Sequence, residues 1–179
     1  MLGGAIVKKF EIGDVFGLSE DNLRKVLLEK RKKFFAETTE KYFLQVTGIR
    51  VKYPELERDE LGKILPVLDW HLSVSHSENY LAVAIFDDEN VGVDIEKRQH
   101  SGKLSARVLK KVLAPGEIEI DGDYLNNYVI KEAYAKYLGE GLSMGFSGYD
   151  ANELLQKKDI KWKNLSTDEY VCYAVRGII

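Results

Sequence analysis

The chain has 179 residues, of which 45% are hydrophobic and 31% charged, with a net charge of -3 at pH 7. These values are typical of a soluble globular protein and exclude an intrinsically disordered one. The small negative charge gives the molecule as a whole no attraction to nucleic acid or to an anionic membrane. The single cysteine, Cys172, excludes an internal disulfide and fits a reducing cytosol.

No stretch of the sequence has the length and apolar character of a membrane span, and the segment from Met1 to Val7 is too short for a signal peptide. We therefore predict a cytoplasmic protein that binds neither a membrane nor nucleic acid. A local basic cluster runs from Lys30 to Lys33, and the simplest interpretation of it is the solvent-facing side of a helix.

The first part of the chain is predicted to form two helices. One runs from Ser19 to Lys33, with Ser19 as its N-cap, and the other from Glu37 to Val46. The segment from Tyr53 to Pro66 is predicted to be irregular because glycine and proline interrupt it.

Strands dominate the middle of the chain, and helices follow. The predicted strands run from Leu72 to Ser75, Tyr80 to Phe86 and Val91 to Lys97. The later elements are predicted as helices from Leu104 to Leu113 and from Asp123 to Leu138, the second closed by Gly139, and a last strand from Glu169 to Gly177.

Two segments about half a chain apart resemble each other, namely Asn79 to Ile85 and Glu169 to Val175. One supersecondary unit that occurs twice would explain the likeness, and it predicts two similar halves, residues 1–88 and 89–179. The alternative is that two buried strands are alike in composition alone.

Two carboxylates lie two residues apart in the strand predicted from Val91 to Lys97. Because strand side chains alternate between faces, Asp94 and Glu96 share one face with Gly92. Like charges side by side near an apolar core are costly unless a cation lies between them, and carboxylate oxygens suit a hard ion such as Mg²⁺. The alternative is a solvent-facing edge strand that tolerates two acids.

The helix from Asp123 to Leu138 places Glu132 and Lys136 on one face, because residues four apart lie one above the other. Tyr124 and Tyr128 continue the same stripe. Without further context, Glu132 and Lys136 are an exposed ion pair that stabilises a helix by only ~0.2–0.5 kcal/mol.

A histidine flanked by two serines follows the first predicted strand. Hydroxyl and backbone N–H groups around His76, between Ser75 and Ser77, have the chemistry to surround an anion. The alternative is a solvated loop histidine.

Taken in order, the three neighbourhoods resemble the phosphopantetheinyl transferase superfamily. Its members carry a Ser-His-Ser segment, a Gly-(Ile/Val)-Asp-(Ile/Val)-Glu strand and a Trp-x-x-Lys-Glu-(Ala/Ser)-x-x-Lys helix. Here these motifs are Ser75-His76-Ser77, Gly92-Val93-Asp94-Ile95-Glu96, and Lys131-Glu132-Ala133 with Lys136. The resemblance covers about Gly62 to Leu142. Because two halves are predicted in one chain, it points to the larger, pseudo-dimeric type that activates peptide synthetases.

The resemblance implies an α+β fold in which two similar α/β halves form a pseudo-twofold arrangement. It also implies a monomeric, magnesium-dependent enzyme that transfers the phosphopantetheine arm of coenzyme A to a serine of an apo acyl or peptidyl carrier protein. Two other classes remain open. One is another magnesium-dependent phosphotransfer or phosphohydrolase enzyme, and the other is a non-catalytic carrier-binding relative.

The resemblance also assigns roles to individual residues. Asp94, Glu96 and Glu132 would ligate Mg²⁺, which also binds the diphosphate of coenzyme A. Glu132 would act as the base, directly or through a metal-bound water, and Lys136 would neutralise charge on the leaving phosphate. The implied catalytic residues are Glu132, Lys136 and His76. The implied coenzyme A contacts are Lys30, Lys63, Ser75, His76, Lys131 and Lys136.

The chain departs from the family pattern at several positions around the implied nucleotide pocket. Tyr128 stands in place of tryptophan, which keeps an aromatic wall but changes its shape. Ser73 replaces a frequent asparagine, and Ile64 replaces the proline after the glycine-lysine pair. An arginine expected in the first half has no counterpart, since Tyr42 stands there beside Lys41.

Overall fold

Two antiparallel sheets organise the part of the chain that the computed structural model describes, residues 3–11, 19–98, 111–140 and 145–178. The strand order is β1-β3-β2 in the first sheet and β4-β6-β5 in the second. The strands are β1 (Gly3–Lys9), β2 (Trp70–Ser77), β3 (Tyr80–Asp87), β4 (Asn90–Lys97), β5 (Ile160–Asn164) and β6 (Tyr170–Gly177). The helices are α1 (Glu20–Thr47), α2 (Tyr124–Leu138) and α3 (Ala151–Gln156). The predicted α+β class is therefore confirmed.

The two sheets repeat one arrangement. The segments that resemble each other in sequence cover most of β3 and β6, and each of these is the central strand of its sheet. The outer strands also match in register, because Gly4 of β1 lies opposite Ile85 and Gly92 of β4 lies opposite Val175. Two similar halves are thus present in the fold. The first sheet ends at residue 87 and the second begins at residue 90, while the domain boundary between residues 88 and 89 stays a prediction.

The N-terminal helical region is one helix rather than the two that were predicted. No glycine or proline interrupts residues 20–47, so α1 continues through the segment expected to separate the two helices. Phe35, Thr39 and Phe43 form its buried stripe. Ser19 precedes α1, but its side chain makes no capping hydrogen bond. Among the described residues, no helix combines the length and apolar composition needed to cross a membrane.

The predicted strands β2, β3, β4 and β6 are confirmed with small changes at their ends, whereas β1, β5 and α3 were not predicted. Both missed strands lie at sheet edges and carry exposed lysines, which obscure the strand pattern. The helix predicted from Leu104 to Leu113 lies mostly outside the described residues, although Lys111 and Val112 are helical.

Helix α2 agrees with the prediction and packs closely on β4 and β6. Asp123 caps it by accepting a hydrogen bond from the Leu125 amide, and Gly139 ends it in the left-handed conformation. The close approach depends on Gly92 of β4. A Cβ atom there would overlap the Ala133 carbonyl oxygen and lie 2.5 Å from the Tyr137 amide nitrogen.

Replacing Gly92 with alanine is expected to lower the free energy of unfolding by about 3 kcal/mol, the upper end for overpacked cores, because rigid helix backbone blocks the new methyl group. Urea denaturation measures the change. Gly148→Ala is the matched control, since a Cβ at Gly148 meets no atom within 4 Å. Equal stability of the two variants would contradict the close packing of α2 on β4.

Candidate active site

The acidic face of β4 points toward α2. The opposite face of β4 is apolar and is buried between the two sheets. It consists of Val91, Val93 and Ile95, with exposures of 2%, 0% and 0%. Asp94 is only 4% exposed, and Glu96 is partly buried. The strand therefore presents its two acids inside the molecule rather than on a solvent-facing edge.

Serines of β2 hold the acids of β4 across the junction between the two sheets. The Ser75 hydroxyl donates to Asp94 Oδ1 at 2.7 Å, and the Ser77 hydroxyl donates to Glu96 Oε2 at 2.6 Å. The Ser73 Oγ accepts from the Val93 amide at 3.1 Å. Sequence reasoning missed these bonds. The available signal was the alternation of the three serines, which places them on one face of β2.

Lys136 of α2 pairs with Asp94 rather than with Glu132. Its ammonium donates to Asp94 Oδ1 at 2.6 Å and to Ser75 Oγ at 2.9 Å. Its side chain is 31% exposed. The simple helical pair of Glu132 and Lys136 is thus replaced by an ion pair that joins α2 to β4.

Glu132 lies on α2 beside the strand acids and is 7% exposed. Its Oε1 accepts a hydrogen bond from the Tyr128 hydroxyl at 3.0 Å. Burial, and then the negative charge of Asp94, raise the pKa of Glu132, while burial also raises the pKa of Glu96. The bond from Lys136 to Asp94 places the helix that carries Glu132 against the strand that carries Asp94 and Glu96, although the two elements are far apart in sequence.

A cation would fit the chemistry of these carboxylates. Asp94 Oδ2 is buried and has no hydrogen-bond partner among the described residues, and an unpaired anionic oxygen is costly to bury. Among the described residues, no group of three or more His, Cys, Asp or Glu side chains is placed so that it could hold a metal ion. Mg²⁺ usually takes only one or two carboxylates and completes its coordination with phosphates and waters. The donor set fits Mg²⁺, whose presence stays a prediction.

A cavity of about 330 Å³ lies beside Glu132, and the Lys136 side chain that lines it also contacts Asp94. Its lining includes Ser73 of β2, and Glu132 and Lys136 of α2. The segment before β2 contributes two cationic side chains, Arg58 and Lys63. The Lys63 ammonium donates to the Tyr137 carbonyl at 2.9 Å, and burial lowers the pKa of Lys63. Of the predicted coenzyme A contacts, Lys63 and Lys136 line this space, whereas Ser75 lies beside it through its bond to Lys136.

Two other predicted contacts lie away from the acids. His76 is exposed on β2, on the face opposite Ser75, and stacks on Phe35 of α1 with ring centroids 5.4 Å apart. Lys30 is exposed on α1. Its neighbour Arg31 donates to the Glu78 carbonyl at 3.0 Å, just after the end of β2. The basic cluster of α1 and His76 thus lie near one end of β2, outside the cavity beside Glu132.

Lys131 is not brought to the acids. Its side chain is fully buried, donates to the Val112 carbonyl at 2.7 Å and pairs with Glu117, which is fully buried too. Glu117 also accepts hydrogen bonds from the side chain of Asn127 and from the amide of Ala151. To contact coenzyme A, Lys131 would have to leave this network. Glu117 was not singled out from the sequence, because it is 14 residues from its partner.

Glu132→Gln is expected to raise the free energy of unfolding at pH 7, without metal, by ~0.5–2 kcal/mol, the range for stabilising substitutions. The pKa of Glu132 is higher in the folded than in the unfolded chain. The wild-type carboxylate therefore lowers stability as pH rises above about 4.5, the ordinary value, and glutamine removes that penalty. Urea denaturation at pH 4 and pH 7 measures the effect, which should shrink at the lower pH. Glu60→Gln, at an exposed turn, is the control, and lower stability of Glu132→Gln at pH 7 would contradict the interpretation.

An α+β fold of two similar three-stranded units, with carboxylates from a strand and a helix at their junction, defines the structural class of this protein. Residues 90–175, which include β4, α2, α3 and β5, match the model of the 4'-phosphopantetheinyl transferase superfamily. The match confirms the resemblance to this superfamily that the sequence motifs predicted.

A curated relative is consistent with the family match. The protein described as 4'-phosphopantetheinyl transferase gsp, from Aneurinibacillus migulanus, is 26% identical over 118 residues, which make up 61% of this chain and 48% of the relative. The chain thus spans about half the length of that relative.

Proposed function

We propose that this protein transfers the phosphopantetheine arm of coenzyme A to a serine hydroxyl of an apo acyl or peptidyl carrier protein, with Mg²⁺ as the metal. The observation that carries the proposal is the bond from Lys136 to Asp94, which joins the helix of Glu132 to the acidic strand beside a cavity that Glu132 and Lys136 both line. The superfamily match of the segment that supplies these residues adds the substrate class.

The proposed metal ligands are Asp94, Glu96 and Glu132. Asp94 Oδ2 has no competing donor among the described residues, and serine hydroxyls fix Asp94 Oδ1 and Glu96 Oε2. When bound, Mg²⁺ would neutralise the diphosphate of coenzyme A and stabilise charge that develops during phosphoryl transfer.

The chain's own residues account for the remaining chemistry. The carrier serine oxygen forms a bond to the phosphorus that bears the pantetheine arm, and the bond from that phosphorus to adenosine bisphosphate breaks. Glu132 is the proposed acceptor of the serine proton, directly or through a water, and no described residue donates to its Oε2. The route through a water is favoured, because a carboxylate that also ligates a metal is a poor base. Lys136, which is 31% exposed, supplies a positive charge next to the leaving phosphate.

The proposed nucleotide contacts form two groups. Lys63, Ser75 and Lys136 are in or beside the cavity. His76 and Lys30 are exposed near one end of β2, where an anionic part of coenzyme A could extend. We further propose that the protein acts as a cytoplasmic monomer, and that it is of the larger, pseudo-dimeric type, since one chain contains both sheets.

Intact-protein mass spectrometry tests the proposal. Apo carrier proteins of fatty-acid, polyketide and peptide synthesis are incubated with the protein, coenzyme A and Mg²⁺, and one carrier is expected to gain one phosphopantetheine group. Omitting Mg²⁺ or adding a chelator should prevent the gain. No modification of any carrier would contradict the proposal. Phosphate release without a carrier would instead indicate a phosphohydrolase, and carrier binding without coenzyme A binding would indicate a non-catalytic relative.

A further inference from the structure

Glu132 is held by a residue that the family motif does not supply. The Tyr128 hydroxyl, one helical turn earlier on α2, donates to Glu132 Oε1 at 3.0 Å. The Tyr128 ring is partly buried and packs edge-on against Phe146, with ring centroids 6.2 Å apart. Packing of the ring therefore directs the hydroxyl toward the carboxylate.

No other described residue takes over this task. Lys136 is four residues after Glu132, at helical ion-pair spacing, but its ammonium donates to Asp94 and Ser75. Glu132 has no further hydrogen-bond donor among the described residues. The negative charge of Asp94 repels the Glu132 carboxylate, whereas the positive charge of Lys136 attracts it without a hydrogen bond. The bond from the Tyr128 hydroxyl is therefore the one hydrogen bond among the described residues that fixes the direction of the Glu132 carboxylate, and we expect the carboxylate to move when that bond is lost.

We propose that Tyr128 is a positioning residue whose hydroxyl holds Glu132 Oε1 and so presents the second oxygen, Oε2, toward Asp94 and the cavity. The catalytic importance of Glu132 rests on the proposed function, but the bond from Tyr128 to Glu132 is present in the protein without any ligand. Tyrosine replaces the usual family tryptophan here, and tryptophan carries a ring N–H donor rather than a hydroxyl. The hydroxyl contact is therefore a feature of this chain's own sequence.

Tyr128→Phe removes the hydroxyl and keeps the ring. Crystal structures of the wild-type protein and the variant are expected to show the Glu132 carboxylate displaced in the variant. Mn²⁺ affinity, measured by electron paramagnetic resonance without coenzyme A, should fall ~10–100-fold, as for lost partners of metal ligands. With a carrier substrate, kcat should fall by a similar factor while the KM for coenzyme A stays unchanged. Tyr124→Phe, one turn earlier on the same stripe, should change none of these quantities.

A second pair of variants tests whether Tyr128 acts through Glu132. In a Glu132→Gln background, Tyr128→Phe should lower kcat no further, because the positioned carboxylate is already gone. A full additional loss there would overturn the inference. So would an undisplaced Glu132 with unchanged Mn²⁺ affinity in the single variant.

The outcomes separate this inference from the proposed function. If the wild-type protein modifies no carrier but Glu132 still moves in Tyr128→Phe, the positioning role stands and the proposed function fails. If neither the wild-type protein nor the variant binds Mn²⁺, the crystal structures test the positioning role alone. A displaced Glu132 carboxylate in the variant supports it, and an unchanged one contradicts it. If carriers are modified and Tyr128→Phe behaves as wild type, the proposed function stands and the positioning role fails.

Discussion

Replacing Asp94 with asparagine is expected to lower phosphopantetheine transfer at least ~100-fold while the protein stays folded, since even lost partners of metal ligands cost 10–100-fold. Asparagine keeps the shape of the side chain, and its oxygen can still accept from Ser75 and Lys136 in place of Oδ1. It removes the negative charge and the buried Oδ2, which has no hydrogen-bond partner among the described residues. Turnover is measured by intact mass of the carrier, and folding by thermal unfolding.

Asp168→Asn is the matched control for this prediction, because Asp168 is an exposed acid in the loop before β6. Asp94→Ala should lose activity as well, while it also gives up the bonds to Ser75 and Lys136. If Asp94→Asn retains turnover, the acids of β4 are structural and the proposed metal site fails.

Lys131→Met is expected to lower the free energy of unfolding by ~3–5 kcal/mol, the range for breaking a buried ion pair from one side. Lys131 and Glu117 are both fully buried, so the variant leaves the Glu117 charge in the interior. Burial lowers the pKa of Lys131, and the hydrogen bond to Glu117 opposes this shift by favouring the charged ammonium. Urea denaturation at neutral pH measures the change.

Lys163→Met, at an exposed position of β5, controls for loss of a lysine and should change stability by no more than ~0.5 kcal/mol.

The Lys131→Met variant also tests the predicted contact between Lys131 and coenzyme A. Calorimetry that shows weakened coenzyme A binding by Lys131→Met, with stability unchanged, would favour the ligand role and contradict the structural one.

The parts of the site that depend on local periodicity were predictable from the sequence. Alternation along β4 places Asp94 and Glu96 on one face, and helical spacing places Glu132 and Lys136 on one face. The order of the three motifs then indicated the family. The partner of Lys136 was not predictable, because its bond to Asp94 depends on how α2 packs against another element.

The remaining features depend on packing between segments distant in sequence. The serines of β2 reach the acids because two sheets meet, and no local pattern encodes that meeting. The single helix α1 was missed because the basic cluster before Phe34 and Phe35 hides the continuity of the helix. The edge strands β1 and β5 were missed because each has only one buried residue, so neither shows a regular alternation of buried and exposed positions.

Serines of β2 donate hydrogen bonds to the acids of β4, so the proposed activity requires both halves of the chain. Ser75 and Ser77 belong to the first sheet and the carboxylates they fix belong to the second. A small separation of the sheets would release the acids while each sheet kept its own ladder of backbone hydrogen bonds. When denaturant or heat destabilises the protein, the proposed activity should therefore be lost before the secondary structure is. The activity depends on the contact between the two sheets, which can open while each sheet stays folded.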